Sequence, residues 1–230
     1  VLKSRGVVPT LALVRVGERA DDVAYERGVM KRAETVGVAV RQVLLPETAS
    51  LDELLGAIAK INADAGIHGC LIFRPLPKHI DDERVRAALV PEKDVDGITD
   101  GSLAGVFSVT KHGFPPCTAQ ACIEILDHYG VETRGKCAVV IGRSLVVGKP
   151  VAMMLLGKNA TVTICHTKTE DMPSVTRNAD ILIVAAGRAG VVGADYVRAG
   201  QAVLDVGINF TPEGKMVGDA DFDAVEPIVG

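Results

Sequence analysis

A turn between a predicted strand and a predicted helix carries the residues of this sequence best suited to holding a phosphate. Gly142 and Gly148 flank this turn, which follows the apolar run 139–141 and opens a helix. Such a turn points backbone N–H groups and the positive end of the helix at a bound anion, and would suit a dinucleotide pyrophosphate. The spacing departs from G-x-G-x-x-G, since Ser144 replaces the second glycine and the last gap is longer. On spacing alone, dinucleotide binding and an ordinary tight strand–helix turn are equally good interpretations.

The end of the next predicted strand bears on the choice of cofactor. An acidic residue here would hold the 2′-hydroxyl of NAD, whereas cationic or hydroxyl-bearing side chains admit the 2′-phosphate of NADP. The strand ends at Cys165 and His166, Thr167 and Lys168 follow, and the first carboxylate comes only at Glu170. The sequence therefore favours NADP without excluding NAD. A solvated polar loop is the alternative interpretation of this run.

Two carboxylates stand close together in an irregular stretch of the sequence, at Asp94 and Asp96. With one residue between them, they could grip a polar heterocycle by accepting hydrogen bonds from its N–H groups. They could equally cap a turn, which the following Gly97 favours, and on the local sequence alone the turn is the better interpretation. Tyr25, on a predicted helix, is a further candidate for a binding cleft, although a lone helical tyrosine is more often a core residue.

Other combinations of reactive side chains find no support in the sequence. Cys165 and His166 are adjacent on a predicted strand, so their side chains point to opposite faces and form no nucleophile–base pair. Ser144 lacks the surroundings of a nucleophile elbow, which argues against a hydrolytic triad. We expect core or surface roles, and no metal site, for the remaining histidines, whose spacing fits no ligand set: His68, His79, His112 and His128.

Alternating strands and helices must position these candidates. In the amino-terminal part, Gly37 is the predicted end of the first helix, and Ser50 with Glu53 predicts a capping box at the start of the second. Helices between short apolar strands indicate parallel sheets, so the expected fold class is α/β. The apolar runs predict strands over 9–16, 38–45, 69–73, 137–141, 161–165, 181–186 and 202–208. Helices are predicted over 22–36, from 50 onward, 118–128, 148–156 and 173–179, with an irregular polar stretch over 91–116 that holds the domain boundary.

The composition is that of an ordinary globular chain. Its 230 residues are 48% hydrophobic and 23% charged, and the formal charge of −4 argues against a general nucleic-acid binder. No apolar run is long enough for a membrane span, and no signal-peptide pattern opens the chain. Five cysteines without a CxxC pair argue against a disulfide scaffold, so a reducing cytoplasm is the expected location.

Taken together, these features resemble one family, the methylenetetrahydrofolate dehydrogenase/methenyltetrahydrofolate cyclohydrolase proteins. The matching stretches occur in family order with family-like gaps across nearly all of the chain, and their combination is far more specific than any one of them. They are Tyr25 with 31–34, then 75–80, 91–97, 116–118, 142–150, 160–163 with Cys165 and His166, and 205–209.

The resemblance implies two α/β domains with a cleft between them. Residues 1–100 would form the folate-binding catalytic domain, 101–222 a Rossmann-type NAD(P)-binding domain of doubly wound topology, and 223–230 the start of a segment returning to the first domain. The resemblance also implies a homodimer formed through the cofactor domains.

The resemblance further assigns roles to individual residues of the site. Tyr25 would stack on the folate and Asp96 would bind the pterin, as the catalytic pair, and Pro75, Leu76 and Pro77 would line the substrate site. Thr167 would lie near the 2′-phosphate of NADP and Ile208 beside the nicotinamide. The other cofactor-binding residues would be Thr118, Gly142, Arg143, Ser144, Gly148, Pro150 and His166.

The chain departs from the family at the residues that serve the second activity. Bifunctional members carry a catalytic Lys four residues after the helical Tyr, where this chain has Val29, and a Gln two residues before Pro-Leu-Pro, where it has Phe73. The family Ser three residues before the Tyr is Asp22. Lys31 lies six residues after Tyr25, about 600° around a helix, and is a poor substitute for the missing Lys. The family also has a helix before the first strand and a Gly-rich segment with a helix beyond Gly230, which we expect to complete the folate pocket and the domain packing.

The chemistry of the two steps then decides which activity to expect. Hydride transfer from methylenetetrahydrofolate needs two rings held at near-attack distance and no obligatory proton acceptor. Hydrolysis of the methenyl product needs a positioned acid or base, which neither Val29 nor Phe73 provides. We therefore predict an NADP-dependent methylenetetrahydrofolate dehydrogenase with weak or absent cyclohydrolase. The alternatives are a bifunctional enzyme in which Lys31 or Arg74 replaces the Lys, and a non-catalytic folate- or dinucleotide-binding module.

Overall fold

Residues 6–229, which the computed structural model describes, divide into two units. One contains the described residues up to Gly105 together with Lys111–Phe114, and the other contains Val106–Thr110 and the chain from Pro115 onward. Each unit is built around its own parallel sheet, so the predicted α/β class is confirmed. The terminal residues 1–5 and Gly230, with the predictions that fall on them, lie outside the described residues.

A three-stranded parallel sheet forms the centre of the first unit. β1 (Thr10–Val16) lies between β2 (Ala39–Leu45) and β3 (Gly69–Ile72). Leu13, Leu54 and Ile58 are fully buried in this unit, because the central strand is mostly apolar, apart from Thr10 and Arg15, and one face of the second helix is apolar as well. The helices are α1 (Ala20–Val36), α2 (Leu51–Ala63), α3 (Asp82–Ala88) and α4 (Asp100–Ser108).

Local sequence signals set the end of α1 and the start of α2 as predicted. Gly37 ends α1 with a left-handed φ of 74°. At the start of α2, the Ser50 hydroxyl accepts a hydrogen bond from Glu53 N at 3.2 Å, and Ser50 N donates to Glu53 Oε2 at 2.7 Å. This is the predicted capping box. At the other end of α2, Lys93 Nζ donates to the carbonyls of Ile61, Asn62 and Asp64 at 2.6–3.0 Å.

The stretch 91–116, predicted to be irregular, contains a short 3₁₀ helix at Pro91–Lys93 and the helix α4. The prediction was wrong here because glycines hide the helical pattern. A Cβ on Gly105 would lie 2.1 Å from the carbonyl oxygen of His112, and a Cβ on Gly101 would lie 2.4 Å from Pro91 Cγ. These two positions require glycine for close packing, which removes the side chains that would have indicated a helix.

A four-stranded parallel sheet of order β5-β4-β6-β7 forms the centre of the second unit. Its strands are β4 (Cys137–Ile141), β5 (Thr161–Cys165), β6 (Ile181–Val184) and β7 (Ala202–Asp205). β7 was predicted to run to Ile208, but it ends at Asp205, whose carboxylate accepts a hydrogen bond from Gly207 N at 3.0 Å. The helices are α5 (Cys117–His128), α6 (Gly148–Gly157), α7 (Met172–Arg177) and α8 (Phe222–Val225), and β8 (Asn209–Phe210) pairs with β9 (Met216–Val217) in an antiparallel hairpin.

Aliphatic side chains fill both faces of the second sheet. Val140 and Ile183 belong to the cluster that packs against α5 and α6, whereas Val139 and Leu182 belong to the cluster on the other face. Val225, Ile228 and Val229 also pack in that second cluster. Among residues 6–229, no helix combines the length and apolar character needed to cross a membrane.

Candidate functional site

The carboxyl edge of the first sheet holds a groove of about 730 Å³. The strand order β2-β1-β3 places the reversal of strand order between β1 and β3, and ligands of open α/β sheets bind at such points. The groove lies there, since it is lined by residues that follow β1 and residues that follow β3. The lining comprises residues 16–19, Glu47 and residues 75–79.

The loop that follows β3 contains the three residues predicted to line the substrate site, Pro75, Leu76 and Pro77. The Arg74–Pro75 peptide bond is cis. Arg19 Nη1 donates to the Pro75 carbonyl at 3.2 Å, and Leu76 packs against the core of the unit. The loop is therefore held to the residue that precedes α1 and to the core, and all three predicted residues line the groove.

Tyr25 and Phe73 form an aromatic pair next to this loop. Their ring centroids are 5.8 Å apart and their planes meet at 82°, an edge-to-face contact. Phe73 is only 7% exposed, whereas Tyr25 is 61% exposed. The buried ring thus supports the more exposed one, and Phe73 occupies the position at which the family resemblance places a Gln.

Val29, at the position of the family Lys, is half-buried one turn after Tyr25. It lines a mainly apolar groove of about 520 Å³ along α1, together with Tyr25 and Gly28. The two cations considered as substitutes differ in their surroundings. Lys31 is exposed, and Arg74 Nε donates to Asp82 Oδ1 at 2.8 Å in a two-pronged ion pair.

The inward face of α1 carries two acidic residues, Glu26, which sequence reasoning did not select, and Asp22, which it named only as a departure from the family Ser. Glu26 is 6% exposed and accepts hydrogen bonds from Arg15 Nε, at 2.6 Å, and from Gln42. Asp22 is 7% exposed, and Arg19 Nη1 lies 4.0 Å from its Oδ2. Their spacing of four residues, which puts both on one helix face, was the available signal. From the sequence alone, two acidic residues at this spacing predict a solvent-facing helix surface. Only the structure shows that Arg15 lies buried on the neighbouring strand and pairs with Glu26.

The two carboxylates at 94 and 96 have different environments. Asp94 is fully buried and accepts hydrogen bonds from Ile98 N at 3.0 Å, Thr99 N at 2.7 Å and Ser102 Oγ at 2.7 Å. This matches the turn-capping interpretation for Asp94, because the carboxylate organises the loop that opens α4. Asp96 is half-buried in the same turn, so binding of the pterin by this residue stays a prediction.

In the second unit, Gly142 and Gly148 lie at the reversal of strand order between β4 and β6. Gly142 has φ of 122°, and a Cβ there would lie 2.2 Å from the Ala185 carbonyl oxygen. A Cβ on Gly148 would lie 2.2 Å from the carbonyl oxygen of Gly142. Both positions therefore admit only glycine, and the two predicted glycines form one close-packed turn at the carboxyl edge of the sheet.

Ser144 lies in the same turn and caps the start of α6. Its hydroxyl accepts hydrogen bonds from Val147 N at 3.1 Å and Gly148 N at 3.4 Å. Pro150 is buried within the first turn of α6, while the Arg143 side chain is exposed. These residues bring N–H donors, a hydroxyl and a cation to one loop, a combination suited to an anionic ligand.

The loop after β5 is a tight turn whose exposed residues are polar. His166 N donates to Thr169 Oγ1 at 2.9 Å, and Lys168 N donates to His166 Nδ1 at 3.1 Å. Thr167 and Lys168 are exposed. Burial raises the pKa of the Cys165 thiol just before this turn, consistent with the rejection of Cys165 and His166 as a nucleophilic pair. Thr118 is exposed in the first turn of α5.

The comparisons with known proteins cover both units. Residues 1–96 match the family model described as tetrahydrofolate dehydrogenase/cyclohydrolase, catalytic domain, and residues 116–230 match its NAD(P)-binding domain. The chain belongs to the tetrahydrofolate dehydrogenase/cyclohydrolase family. The predictions of this family and of a nicotinamide cofactor domain are thereby confirmed.

Individual members of the family are similar over nearly all of this chain. The bifunctional protein FolD of Carboxydothermus hydrogenoformans is 51% identical over 99% of this chain and 80% of its own length. The crystal structure of the bifunctional FolD of Campylobacter jejuni is 38% identical, with a TM-score of 0.97 over 99% of this chain and 81% of its own. The Trypanosoma brucei enzyme, solved with NADP cofactor and an inhibitor, is 33% identical, with a TM-score of 0.90 over 99% and 80% of the two chains.

The family's cofactor domain contains a further residue that sequence reasoning missed. Asp219 is fully buried and joins the loop after β6, through Gly187 N, to Asn209, the residue that follows Ile208. The sequence marks this residue only by a short D-x-D pattern at 219–221, and the same pattern is common in surface turns.

Proposed function

We propose that this chain oxidises 5,10-methylenetetrahydrofolate to 5,10-methenyltetrahydrofolate, with NADP as the hydride acceptor. The observation that carries the proposal is the close-packed glycine turn at Gly142 and Gly148, which lies at the reversal of strand order in a unit that matches an NAD(P)-binding domain. The predicted substrate residues on the carboxyl edge of the other sheet support it, because a groove is present at that edge.

The residues of the second unit fit a nicotinamide dinucleotide. A Cβ at Gly142 or Gly148 would clash with backbone oxygens of the protein, so the two glycines allow the close packing that sets the start of α6, the helix end at which a pyrophosphate would bind. Ser144 and Arg143 would contribute a hydroxyl and a cation to the phosphates, with Pro150 holding the start of α6 in place. When bound, NADP supplies the acceptor carbon for the hydride.

The choice of NADP over NAD rests on the loop after β5. Its exposed residues, Thr167 and Lys168, offer a hydroxyl and a cation to a 2′-phosphate, and His166 lies in the same turn. The presence of NADP in the Trypanosoma brucei relative agrees with this choice. Thr118 and Ile208 complete the proposed cofactor set.

For the folate, we propose that Tyr25 stacks on the substrate and that Asp96 accepts hydrogen bonds from the pterin. The edge contact from Phe73 supports the role of Tyr25, since it restrains the ring that the substrate would cover. Pro75, Leu76 and Pro77 would form the wall of the substrate site. In this scheme the chain's residues orient the substrate and exclude water, and no side chain has to move a proton.

Cyclohydrolase activity is the second candidate function, and the names of the relatives favour it. Relatives at 51% and 46% identity are called bifunctional, which agrees better with the bifunctional alternative than with the loss expected from Val29 and Phe73. A group other than the family Lys would then serve the hydrolysis. Arg74 is engaged by Asp82 and Lys31 is exposed, whereas Asp22 is a buried carboxylate one turn before Tyr25.

We also propose a homodimer assembled through the second unit, on the family resemblance alone. Sedimentation equilibrium of the purified chain tests it, and a monomer at all concentrations would contradict it.

A two-product assay tests the proposed function. Methylenetetrahydrofolate is mixed with the protein and NADP, then with NAD, while methenyl- and formyltetrahydrofolate are followed separately. Methenyl product with NADP supports the dehydrogenase. Formyl product that forms faster than in buffer supports the bifunctional alternative. Absence of any product with either cofactor would contradict both and leave a binding module.

A further inference from the structure

One buried carboxylate connects the two loops that end β6 and β7. Asp219 Oδ2 accepts a hydrogen bond from Gly187 N at 2.8 Å, and Oδ1 accepts from Arg188 N at 2.8 Å. The same Oδ1 accepts from Asn209 Nδ2 at 2.9 Å. Three donors from two loops therefore meet one carboxylate that is fully buried. Such a carboxylate fixes the loops relative to each other, because leaving any of these groups unpaired in the interior is costly.

A second carboxylate, at the end of β7, completes the arrangement. Asp205 Oδ1 accepts hydrogen bonds from Gly207 N and Asp219 N, both at 3.0 Å, and Oδ2 accepts from Ala220 N at 2.9 Å. Asp205 thus holds the backbone that carries Asp219, and we call the two residues the aspartate clasp.

Glycines opposite each carboxylate make the clasp reciprocal. A Cβ on Gly207 would lie 2.1 Å from Asp219 Cγ, and a Cβ on Gly218 would lie 1.8 Å from Asp205 Oδ2. Each aspartate therefore fills the space that a side chain on the opposite segment would need. The segment 205–209 and the segment 218–220 therefore pack closely against each other, and this packing restricts the backbone conformation between residues 205 and 209.

Ile208 lies within this restricted backbone and is nevertheless 71% exposed. Its neighbours on both sides are bound, Gly207 through Asp205 and Asn209 through Asp219. A large apolar side chain held in water by a rigid backbone is suited to covering one face of a flat ligand ring, because burial by the ligand recovers its hydration cost. The carboxyl edge of a doubly wound sheet is where such a ligand binds.

We propose that Asp219 and Asp205 are positioning residues, which act through Ile208 to set the nicotinamide end of the cofactor. The proposal rests on the proposed function, in that it takes a nicotinamide dinucleotide as the ligand. It predicts that the clasp governs the nicotinamide end alone, while the glycine turn at Gly142 governs the adenosine and phosphate end.

The test separates the two ends of the cofactor without requiring turnover. NADPH fluorescence reports the environment of the reduced nicotinamide ring, and calorimetry with 2′,5′-ADP reports the adenosine end. In Asp219→Asn and in Ile208→Ala we expect the fluorescence change on NADPH binding to fall by at least about half, with the affinity for 2′,5′-ADP within about twofold. Ile208→Ala changes an exposed side chain, so it stays informative if Asp219→Asn fails to fold.

Asp180→Asn is the matched control. Asp180 Oδ2 accepts a hydrogen bond from Cys137 N at 2.9 Å, before β6 at the opposite edge of the same sheet. We expect this variant to keep the fluorescence change of the unchanged protein.

Kinetics give a second readout where the dehydrogenase turns over. In Asp219→Asn and in Ile208→Ala we expect kcat to fall on the order of tenfold and the deuterium isotope effect on kcat to rise, since misplacing the ring slows hydride transfer itself. A merely structural role would lower the amount of active protein and leave the isotope effect unchanged. An unchanged fluorescence response in both variants, or none in the unchanged protein, would overturn the proposal. A protein that shows the response but gives no methenyl product would instead overturn the proposed function.

Discussion

Phe73 meets Tyr25 edge-on, with ring centroids 5.8 Å apart, at the position where the family resemblance places a Gln. Tyr25, the ring proposed to stack on the folate, therefore has an apolar neighbour in Phe73 where the family would provide a polar Gln. An edge-to-face pair contributes about 0.5–1.5 kcal/mol beyond the area that it buries. Phe73 thus restrains Tyr25 and itself carries no group able to transfer a proton.

Replacing Phe73 with Leu tests this restraint. Leu keeps the position apolar and removes the aromatic edge, so we expect the KM for methylenetetrahydrofolate to rise by about twofold to tenfold while kcat changes little. Steady-state kinetics at saturating NADP measure both. Phe114→Leu, at a half-exposed aromatic side chain of the same unit, is the control. Equal KM values in the unchanged protein and Phe73→Leu would show that the contact does not orient the substrate.

Val29→Lys restores an amine one turn from Tyr25, in a mainly apolar groove. Desolvation in such surroundings favours the neutral amine, which can accept a proton. We expect hydrolysis of methenyltetrahydrofolate to increase at least about tenfold over the unchanged protein, within the range of general base catalysis. The decay of added methenyl substrate measures it. Val29→Met, of similar length without the amine, should stay at the unchanged rate, and an equal rate in Val29→Lys would contradict the prediction.

Gly142→Ala should weaken cofactor binding. Its Cβ would lie 2.2 Å from the Ala185 carbonyl oxygen, and φ of 122° is unfavourable for any side chain. We expect NADP affinity to fall by more than about tenfold and the free energy of unfolding to fall by about 1–3 kcal/mol. Calorimetry and urea unfolding give the two values. Gly157→Ala is the control, because a Cβ there would meet Val109 at an ordinary 3.6 Å. Full NADP affinity in Gly142→Ala would rule out the turn as the phosphate site.

Lys168→Glu should change the cofactor preference. The exposed ammonium group of this residue is proposed to attract the 2′-phosphate, and a carboxylate would repel it. We expect the KM for NADP to rise by about tenfold or more, with the KM for NAD unchanged or lower. Lys215→Glu, an exposed residue of the β8–β9 hairpin region, controls for net charge. A parallel rise in both KM values would argue against a phosphate contact.

Asp180 should contribute to stability only above acidic pH. The backbone N–H of Cys137, and then the nearby cations Lys136 and Arg198, lower the pKa of this carboxyl below its ordinary value of 3.8. Its contribution is therefore complete above that value and is lost as the pH falls through the lower pKa of the folded protein. Urea unfolding at a series of acidic pH values should show a smaller acid-induced loss in Asp180→Asn than in the unchanged protein. An identical acid dependence would show that Asp180 is not coupled to folding.

The parts of the fold that depend on local chemistry follow from the sequence. β4 has the predicted bounds because its short apolar run has the length of a single strand. The start of α2 was predicted as well, because Ser50 caps the helix together with Glu53, only three residues away. α4 could not be predicted from the sequence. Its glycines are needed because Pro91 and His112 pack too closely to leave space for a side chain, and no local sequence pattern reveals that packing.

The same division holds for the candidate site. The tight turn at Gly142 and Gly148 could be predicted, because two glycines between an apolar strand and a helix are typical of such a turn. Glu26 and Asp219 are not readable, since their roles depend on partners distant in the sequence. Glu26 needs Arg15 on the neighbouring strand, and Asp219 needs Gly187, which is 32 residues away.

We expect the amine of Lys93 to react more slowly with acylating reagents than that of an ordinary surface lysine. All three protons of its ammonium group are directed at the carbonyls that end α2. An acylating reagent needs the neutral amine with its lone pair free, so Lys93 becomes accessible only when the end of α2 opens. Because these partners lie within the first unit, the labelling rate of this single amine would report opening of that unit independently of the second.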